Sequence, residues 1–582
     1  MDAQKKATIK KRIPRTALTA AVVPFIVFFV VPFEIYCTNR DEFLFSAGAF
    51  LPVLLLYMLL FAAGLFAALL FLPPRAYKIS CNVWLMLGVL FFLQGTYLNR
   101  GMAAFSTNGA GGNETVKIVF NTILWIVLIG GAVACAWLPD KKEIVPTVSM
   151  ILAVVVLATQ AVGFVKTSVT NKEVFSSKSQ QVEQTAENPK RIFTADGLTT
   201  MSRNKNILYF VFDRFDEFFA EATQKYAYDE FYKDLDGFVG YTDHLSLYGH
   251  TYPSISYMIT GNEHDPDKSR IDHLNSVYRN DNTVSTLAQN DWDTRVFTEQ
   301  YYGYTVDAGL PECIGNVSAV KSVKVRNPFM IGIHLTHMAL YRCVPAALKN
   351  CMGIINANQC NRNVQYWGAN GAKEYAVDNK AAYKLAAEQP FTLTDRNVFK
   401  FIHIQGIHDY MGSLETRTLD KKTRTVKNAV KGMRESMAVA NLYINFLKEN
   451  GLYENATIII TGDHPSPYYN FGEIEAPKLT GLYVKKAGSA GTPFALLNAQ
   501  VSHENLWPAV MQEAGVEMPP AYGTSLFDIR EDEQRTRRFI WHTYLYRSSL
   551  DVYNYTVTGS GRDFANWKLD GEPVHYNRGI MG

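Results

Sequence analysis

The chain has 582 residues, of which 48% are hydrophobic and 19% charged, and its formal net charge is +3. The mean hydropathy is close to zero because it averages an apolar first third with a polar remainder that is long enough to bury a full core. The small net charge gives no sign of a nucleic-acid partner, and none is predicted. No internal repeat and no long low-complexity tract occurs.

The first third of the chain contains five apolar stretches that are long enough to span a bilayer. Apart from Glu34 near one end, they contain no internal charged residue. Basic residues such as Arg15 precede the first stretch, and Arg75, Lys78 and Lys141 lie in the second and fourth loops. By the positive-inside rule the amino terminus is cytoplasmic, and everything after residue 166 lies outside. The predicted spans are 17–36, 47–72, 82–99, 118–138 and 146–165.

Residues 1–166 are therefore predicted to form a transmembrane domain of five helices. A cleaved signal peptide is the competing interpretation, but the first apolar run exceeds a usual signal-peptide core, and no small-x-small site precedes Cys37. The polar stretch 167–205 is predicted to be a juxtamembrane linker. Residues 206–530 are predicted to form a globular α/β domain, and residues 531–582 a strand-rich extension packed on it.

Two apolar runs with the same design end in carboxylates. Asp213 directly follows the run Asn206–Phe212. Asp463 and His464 directly follow the second run, which ends at Gly462. Runs of this kind predict buried strands of a parallel sheet, and open α/β sheets bind ligands beyond the carboxyl ends of such strands. Both acidic groups are therefore expected at one rim, where they can hold a metal ion. A plain Gly-Asp-His turn is the alternative for the second motif taken alone.

A third apolar run and a short helix bring further polar groups to the same rim. Val398–Ile404 is predicted to be a strand that leads into a loop containing His408. The stretch from Thr251 to Gly261 has a proline early and a glycine late, which predicts a short helix. Thr251 would lie just ahead of that helix, where free backbone N–H groups favour a phosphoryl group. An ordinary N-cap threonine is the alternative for Thr-x-Pro-Ser in isolation.

Four of the seven cysteines fall in one stretch of the domain predicted to lie outside the membrane: Cys313, Cys343, Cys351 and Cys360. An even number of cysteines in an oxidising compartment predicts two disulfides, with three connectivities open. A metal site is less favoured for these cysteines, because no tight Cys-x-x-Cys pair occurs.

Taken together, the motifs resemble the alkaline phosphatase superfamily, and within it the membrane-embedded branch of lipoteichoic acid synthases, phosphoglycerol transferases and phosphoethanolamine transferases. The resemblance covers roughly residues 205–530. It implies an extracytoplasmic domain of alkaline phosphatase or sulfatase type, with a mostly parallel central sheet flanked by helices. It also implies that Asp213, Thr251, Asp463 and His464 bind one divalent cation, with Thr251 as the nucleophile and His408 as a substrate contact.

The sequence departs from that branch at several positions. Asp213 stands where lipoteichoic acid synthases carry glutamate, and the stretch 293–299 lacks their Trp-x-Arg substrate motif. No histidine follows Asp463-His464 closely enough to supply a second zinc, so one metal ion is predicted. Position 251 is threonine, whereas the sulfatase signature has Cys or Ser at the corresponding position, and formylglycine cannot arise from threonine. Sulfate ester hydrolysis is therefore not expected.

The resemblance implies a multi-pass protein of the bacterial cytoplasmic membrane that moves a phospholipid head group to a cell-surface glycan or polymer through a phosphothreonine intermediate. Phosphatidylglycerol is the first candidate for the donor, and phosphatidylethanolamine the second. Manganese and zinc are the favoured metals, with magnesium as a third candidate, because aspartate and histidine ligands suit all three. Two alternatives stay open: an extracytoplasmic phosphodiesterase or phosphatase of the same superfamily, and a non-catalytic receptor for an anionic polymer.

Overall fold

The computed structural model describes residues 3–99, 112–137, 144–175, 190–279, 281–349, 351–352, 355–408, 425–465, 472–517, 523–543 and 550–576. Its helices are α1 (Ala3–Pro24), α2 (Val31–Thr38), α3 (Leu51–Leu70), α4 (Pro74–Leu93), α5 (Gly112–Ala134), α6 (Ile144–Thr170), α7 (Glu217–Tyr226), α8 (Tyr228–Phe231), α9 (Thr251–Thr260), α10 (Arg270–Val277), α11 (Thr283–Gln289), α12 (Pro328–Cys343), α13 (Ala346–Lys349), α14 (Ala357–Asn361), α15 (Asn379–Glu388), α16 (Val426–Glu449) and α17 (Leu506–Ala514).

The strands are β1 (Arg191–Phe193), β2 (Thr200–Ser202), β3 (Asn206–Phe212), β4 (Phe238–Leu245), β5 (Asp293–Phe297), β6 (Val317–Ala319), β7 (Ser322–Val325), β8 (Val364–Trp367), β9 (Thr392–Thr394), β10 (Val398–Ile404), β11 (Ala456–Gly462), β12 (Leu482–Lys485), β13 (Ala495–Ser502), β14 (Thr536–His542), β15 (Leu550–Thr558), β16 (Trp567–Leu569) and β17 (Val574–Tyr576). The chain forms two compact units. The membrane unit comprises Met1–Glu183 and Lys321–Tyr366, and the sheet unit comprises Gln184–Val320 and Trp367–Gly582.

The membrane unit contains five helical stretches that are long and apolar enough to cross a bilayer. The first is continuous because a π-helical turn, Phe25–Val30, joins α1 to α2. The structure thus contains five apolar helices where the sequence predicts spans, with ends that differ by several residues from those expected. The spans are Ile9–Thr38, Leu51–Leu70, Pro74–Leu98, Val116–Ala134 and Ile144–Thr170.

A segment from the second half of the chain returns to this unit. The side chain of Arg342 on α12 forms an ion pair with Glu34, at 3.5 Å, and donates a hydrogen bond to the carbonyl of Gly95, at 3.1 Å. The amide of Ala346 donates to Asn121 Oδ1 at 2.9 Å. Because an uncompensated charge at a span end is costly, Glu34 is stabilised by this partner. The sequence predicts that residues 321–366 belong to the α/β domain, whereas the contacts group them with the apolar helices of the membrane unit.

The two predicted disulfides are absent, and all seven cysteines are free. Cys343 lies in the apolar packing between α12 and the spans, and Cys360 is also buried. Cys313 and Cys351 are exposed, and Cys313 belongs to the sheet unit while the other three lie in the returning segment. The prediction of disulfides used only the even number and the short spacing of these cysteines. Neither property indicates that Cys313 belongs to a different unit from the other three.

A seven-stranded sheet with the order β13-β4-β12-β11-β3-β10-β5 forms the centre of the sheet unit. β12 is antiparallel to both of its neighbours, and every other neighbouring pair is parallel. Six strands therefore point in one direction, and their carboxyl ends share one edge of the sheet. The predicted fold class, five apolar helices followed by an α/β domain with a mostly parallel sheet, is confirmed.

The middle strands β3, β10 and β11 are buried along their whole length, because helices cover both faces of the sheet. On one face, Phe210 packs against Tyr443 of α16. On the other, Trp507 of α17 packs against Phe399 and donates a hydrogen bond to the carbonyl of Met258, at 2.8 Å. This second contact fixes α9, which carries Thr251 at its start.

Two predicted boundary regions also contain strands. Within the stretch expected to be a linker, β1 pairs with β6 and β2 pairs with β9. In the carboxyl-terminal extension, β14–β17 form an antiparallel sheet. The amides of Gly249 and Ile540 link β14 to the loop before α9, through hydrogen bonds of 3.1 and 2.8 Å to the carbonyls of Ile540 and Leu247. The extension therefore supports the loop that leads to Thr251.

Candidate metal centre

Asp213 is the first residue after β3, and the loop after β10 holds its backbone. Its amide donates to the carbonyl of Ile404 at 3.1 Å, and its carbonyl accepts from the amide of Ile407 at 3.0 Å. Gly406 has φ +60°, and a Cβ there would lie 2.4 Å from the nitrogen of Asp213. The close approach of these two loops thus requires glycine. It fixes the direction in which the carboxylate leaves the sheet.

Asp463 and His464 follow β11 directly, as the sequence predicts. A Cβ on Gly462 would lie 2.2 Å from the carbonyl oxygen of Phe215, so the glycine lets the two strand ends approach each other. Asp463 Oδ1 accepts the amides of Arg214 and His464, each at 2.9 Å. These bonds orient the carboxylate and leave its other oxygen directed at the site.

Thr251 reaches the same place from β4. The first turn of α9 is anchored by Ser254, whose hydroxyl donates to the carbonyl of Asp463 at 2.6 Å. Behind it, the ring of His250 packs on Trp541 and donates from Nε2 to the carbonyl of His542 at 2.8 Å. The threonine hydroxyl is consequently held at the end of the sheet. It is buried, with 8% of the residue exposed.

The four predicted ligands lie together. Thr251 Oγ1 is 3.1 Å from His464 Nε2 and 3.5 Å from Asp213 Oδ2. His464 Nε2 is 3.7 Å from Asp213 Oδ1 and 3.5 Å from Asp463 Oδ2. Metal–ligand bonds of about 2.1 Å place neighbouring ligands roughly 3 to 3.5 Å apart, which is close to these separations.

Two oxygens of the group have no hydrogen-bond partner among the described residues although both are buried: Asp213 Oδ1 and Asp463 Oδ2. Buried carboxylate oxygens normally have a partner, so this pair has the properties of cation ligands. The donor set of two carboxylates and one imidazole fits a divalent metal ion. Within the part of the chain that the structure describes, this is also the one cluster of three such ligands.

Hydrogen bonding fixes which nitrogen of His464 is free to bind a cation. Its Nδ1 lies 2.6 Å from the carbonyl oxygen of Pro465, which can only accept. Nδ1 must therefore carry the hydrogen, and Nε2 presents a lone pair to the site. Burial and the nearby charge of Arg214 lower the pKa of His464 to about 3, so that the ring is neutral near pH 7.

The two carboxylates are electrostatically unfavourable beside each other. Burial raises the pKa of Asp213 well above its ordinary value, and the neighbouring charge of Asp463 raises it further. Burial also raises the pKa of Asp463, although His403 and the amides of Arg214 and His464 oppose this. A bound divalent cation would favour the ionised forms of both groups.

Arg214 is a residue to which the sequence analysis assigned no role. It is 94% buried, has φ +61°, and its Nε has no hydrogen-bond partner among the described residues. Its charge lowers the pKa values of both His408 and His464, so the guanidinium lies near both rings. A non-glycine residue with positive φ is uncommon outside functional sites. The sequence shows that an Asp-Arg dipeptide follows the strand, but it does not indicate that the arginine side chain is buried.

His408 is the last described residue before the gap at 409–424, so the rest of its predicted loop lies outside the described residues. Its amide donates to the carbonyl of Gln405 at 3.1 Å. Burial lowers its pKa to about 3, and the charges of Arg214 and His464 contribute. His408 is therefore a neutral imidazole near pH 7, and its contact with substrate stays a prediction.

No family model matches the sequence, and no curated protein matches it. Solved structures that are similar to this chain include an alkaline phosphatase superfamily protein from Vibrio parahaemolyticus, with 12% identity and a TM-score of 0.35 over 66% of this chain and 84% of that one. A phosphonate monoester hydrolase from Silicibacter pomeroyi has 13% identity and a TM-score of 0.35 over 64% and 89% of the two chains. A sulfatase from Pseudoalteromonas sp. has 14% identity and a TM-score of 0.35 over 64% and 84%.

Proposed function

We propose that the protein is a membrane-embedded, metal-dependent transferase that moves a phospholipid head group to a hydroxyl of a surface glycan or polymer. The observation that carries the proposal is the position of Thr251 Oγ1, 3.1 Å from His464 Nε2 and beside two buried carboxylates. A hydroxyl in a merely structural N-cap would bond to backbone amides of its own helix. Thr251 instead faces the candidate ligands.

Asp213, Asp463 and His464 would hold one divalent cation, with manganese and zinc as the first candidates and magnesium as the third. When bound, it would supply Lewis-acid activation of a hydroxyl and of a phosphoryl oxygen. The amides on Asp463 Oδ1 and the Pro465 carbonyl on His464 Nδ1 keep these ligands oriented. Asp213 is oriented by the backbone of the loop after β10.

In the first step, Thr251 Oγ1 attacks the phosphorus of the donor phosphodiester, and the bond from phosphorus to the diacylglycerol oxygen breaks. The leaving oxygen takes a proton, and a phosphothreonine diester remains. In the second step, the acceptor hydroxyl loses its proton, its oxygen attacks the same phosphorus, and Thr251 is released as the hydroxyl. Thr251 is therefore unchanged after a complete cycle.

Two side chains of the site suit the phosphoryl group and the exchanging oxygens. The guanidinium of Arg214 is a fixed donor for a non-bridging phosphoryl oxygen, on which charge increases during transfer. His408 is neutral near pH 7 and can exchange a hydrogen bond with the leaving or the entering oxygen.

The location proposed for this chemistry is the outer face of a bacterial cytoplasmic membrane. Arg75 and Lys78 lie at the start of α4, which the positive-inside rule makes cytoplasmic. The returning segment contacts Glu34, Gly95 and Asn121, which lie near the other ends of their spans. Residues 321–366 therefore lie on the side opposite the basic loops, which supports an outer position for the chain after α6.

The test is mass spectrometry of the intact, full-length protein after incubation with vesicles of phosphatidylglycerol or phosphatidylethanolamine. The proposal predicts that the mass of one head-group phosphate is added at Thr251, and the mass identifies the donor. Thr251→Ser retains the hydroxyl and should retain the adduct, whereas Thr251→Ala should lack it. No adduct with either lipid, or an adduct that persists in Thr251→Ala, would overturn the proposal.

The alternatives make different predictions in the same experiment. A phosphodiesterase would release head group into water at the full rate when no acceptor is present. A polymer receptor would form no adduct, and Thr251→Ala would leave its cellular function intact.

A further inference from the structure

The membrane unit contains a half-open cavity of about 490 Å³ that the proposed reaction does not use. It lies between α4, α5 and α6, and aliphatic side chains form most of its wall, including Leu85, Val89, Val127 and Leu152. This volume is within the range of about 300 to 1,000 Å³ that small-molecule pockets occupy. Because the walls belong to three helices that are long and apolar enough to span a bilayer, the open side of the cavity is accessible to lipid.

A buried cation lies behind one polar wall residue of this cavity. Arg15 on α1 is 91% buried, and its Nη2 donates to Oδ1 of Asn82 at 2.6 Å. Asn82 lines the cavity, and its Nδ2 in turn donates to the carbonyl of Ala132 at 3.1 Å. The Nε of Arg15 has no hydrogen-bond partner, and no described carboxylate forms an ion pair with it.

A charged side chain inside a membrane protein normally has a partner of opposite charge. Neither Asn82 nor a carbonyl carries such a charge, so Arg15 fits an anion that the described residues of the chain do not supply. Arg75, in the first turn of α4, lies over the ring of Trp137 at 5.6 Å. It is a second cation at the end of α4 nearer to Asn82. An anionic phospholipid has both required parts, a phosphate and a hydrocarbon chain.

We propose that the cavity binds one acyl chain of an anionic phospholipid, with the lipid phosphate beside Arg15. The cavity wall on α6 runs from Ile144 to Leu152, which at 1.5 Å per residue is about 12 Å of helix axis. One leaflet of the hydrocarbon core is about 15 Å thick. The cavity therefore matches a chain that lies within a single leaflet.

This lipid is distinct from the proposed donor. The cavity lies between the last turns of α5 and the first turns of α6, on the side of Arg75 and Lys78, whereas the returning segment contacts the opposite ends of the spans. With the topology proposed above, the cavity faces the inner leaflet and the reaction uses the outer one. Loss of the bound lipid and loss of transfer can therefore be measured separately.

Two neighbouring glycines of α5 provide a matched test. A Cβ at either Gly130 or Gly131 would meet no atom within 4 Å, but only Gly131 lines the cavity. Gly131→Leu should fill the cavity, whereas Gly130→Leu adds the same side chain elsewhere on the helix. Native mass spectrometry of the full chain in mild detergent should show one bound phospholipid in the wild type and in Gly130→Leu, and a loss of at least tenfold in Gly131→Leu.

A second measurement keeps the proposal testable if Gly131→Leu does not fold. The wild-type chain is placed in vesicles that contain a phosphatidylglycerol with a photoreactive acyl chain, and the labelled peptides are identified. Labelling should concentrate on the cavity-facing parts of α4, α5 and α6, and Arg15→Gln should remove the preference for phosphatidylglycerol over phosphatidylcholine. Equal lipid content in both glycine variants would overturn the proposal, and so would labelling spread evenly around the lipid-facing surfaces.

Discussion

Two buried carboxylate sites of the same unit differ in how their charge is neutralised. Asp243 of β4 is fully buried, and Arg537 of β14 donates to its Oδ1 at 2.9 Å. The amide of Gly561 also reaches both of its carboxylate oxygens, at 3.1 and 3.2 Å. Asp213 and Asp463 are buried too, but each retains one oxygen without a partner. The chain supplies the cation at the first site, whereas the second site has the ligands for a cation that we propose comes from outside the chain.

If the proposed function is correct, the difference is one between a structural and a catalytic use of buried charge. At Asp243, a guanidinium and an amide connect the carboxyl-terminal sheet to the central sheet, and removing either charge leaves the other uncompensated. At Asp213 and Asp463, repulsion between the carboxylates opposes folding unless a cation binds. Substitutions at the first site should therefore affect stability, and those at the second should affect activity and metal binding.

The largest effect is expected for Asp463→Asn. Loss of a carboxylate ligand should reduce head-group transfer by at least about 1,000-fold, equivalent to roughly 4 kcal/mol of transition-state stabilisation. The thermal midpoint of the metal-free protein should stay unchanged or rise, because one of two repelling charges is gone. Transfer assays and thermal unfolding of the full chain in detergent check this. Asp395→Asn, an exposed position, is the control, and a large fall in the metal-free midpoint of Asp463→Asn would contradict the comparison.

Asp243→Ala should have the opposite profile. Leaving Arg537 buried without its partner is expected to cost about 3 to 5 kcal/mol of folding stability. Thermal unfolding should show this loss with or without added metal. The double variant Asp243→Ala with Arg537→Met should cost less than the sum of the single changes. A strictly additive result would mean that the two side chains are not coupled as the structure shows.

A smaller loss is expected for Arg214→Gln. If the guanidinium binds a phosphoryl oxygen, its removal should lower the transfer rate by roughly 100-fold, while the metal content stays at the wild-type value. Arg214→Lys should recover part of the rate, because a point charge replaces the planar donor. If Arg214→Gln instead abolished metal binding, the residue would be a support for Asp463 rather than a contact of the substrate.

The smallest effect concerns pH. Burial lowers the pKa of His273 to about 4, away from the metal ligands. In the unfolded chain the His273 ring takes up a proton near pH 6.5, whereas in the folded chain it stays neutral until a lower pH. The contribution of the neutral ring to folding stability is therefore complete above pH 6.5 and is lost as pH falls from 6.5 toward 4. His273→Gln should flatten the decline of the thermal midpoint over that interval. The exposed His575 serves as the control position, and an unchanged slope in His273→Gln would count against the buried neutral ring.

Local sequence patterns were sufficient for the three strands that end at the site and for the order of its residues along the chain. The bounds of β3 and β10 coincide with the predicted runs, because full burial on both faces produces continuous apolar stretches. The structure brings Asp213, Thr251, Asp463 and His464 together because strands pointing in one direction end at one edge. Their roles in catalysis remain predictions.

What the sequence did not reveal depends on contacts between distant parts of the chain. The ion pair of Arg537 with Asp243 joins residues 294 positions apart, and the contact of Arg342 with Glu34 joins the returning segment to the first span. Neither has a local pattern. The buried position of Arg214 was missed for a related reason, since it depends on a positive φ that the sequence pattern does not indicate.

The most direct test of the account is a cation titration of the metal-stripped, full-length protein, followed by thermal unfolding. A cation that binds only the folded chain should stabilise it by about 2.7 kcal/mol at 100 times its dissociation constant. The account predicts that Mn²⁺ or Zn²⁺ raises the wild-type midpoint by several degrees and leaves that of Asp463→Asn unchanged. An equal rise in both proteins, or no rise in the wild type with any divalent cation, would contradict it.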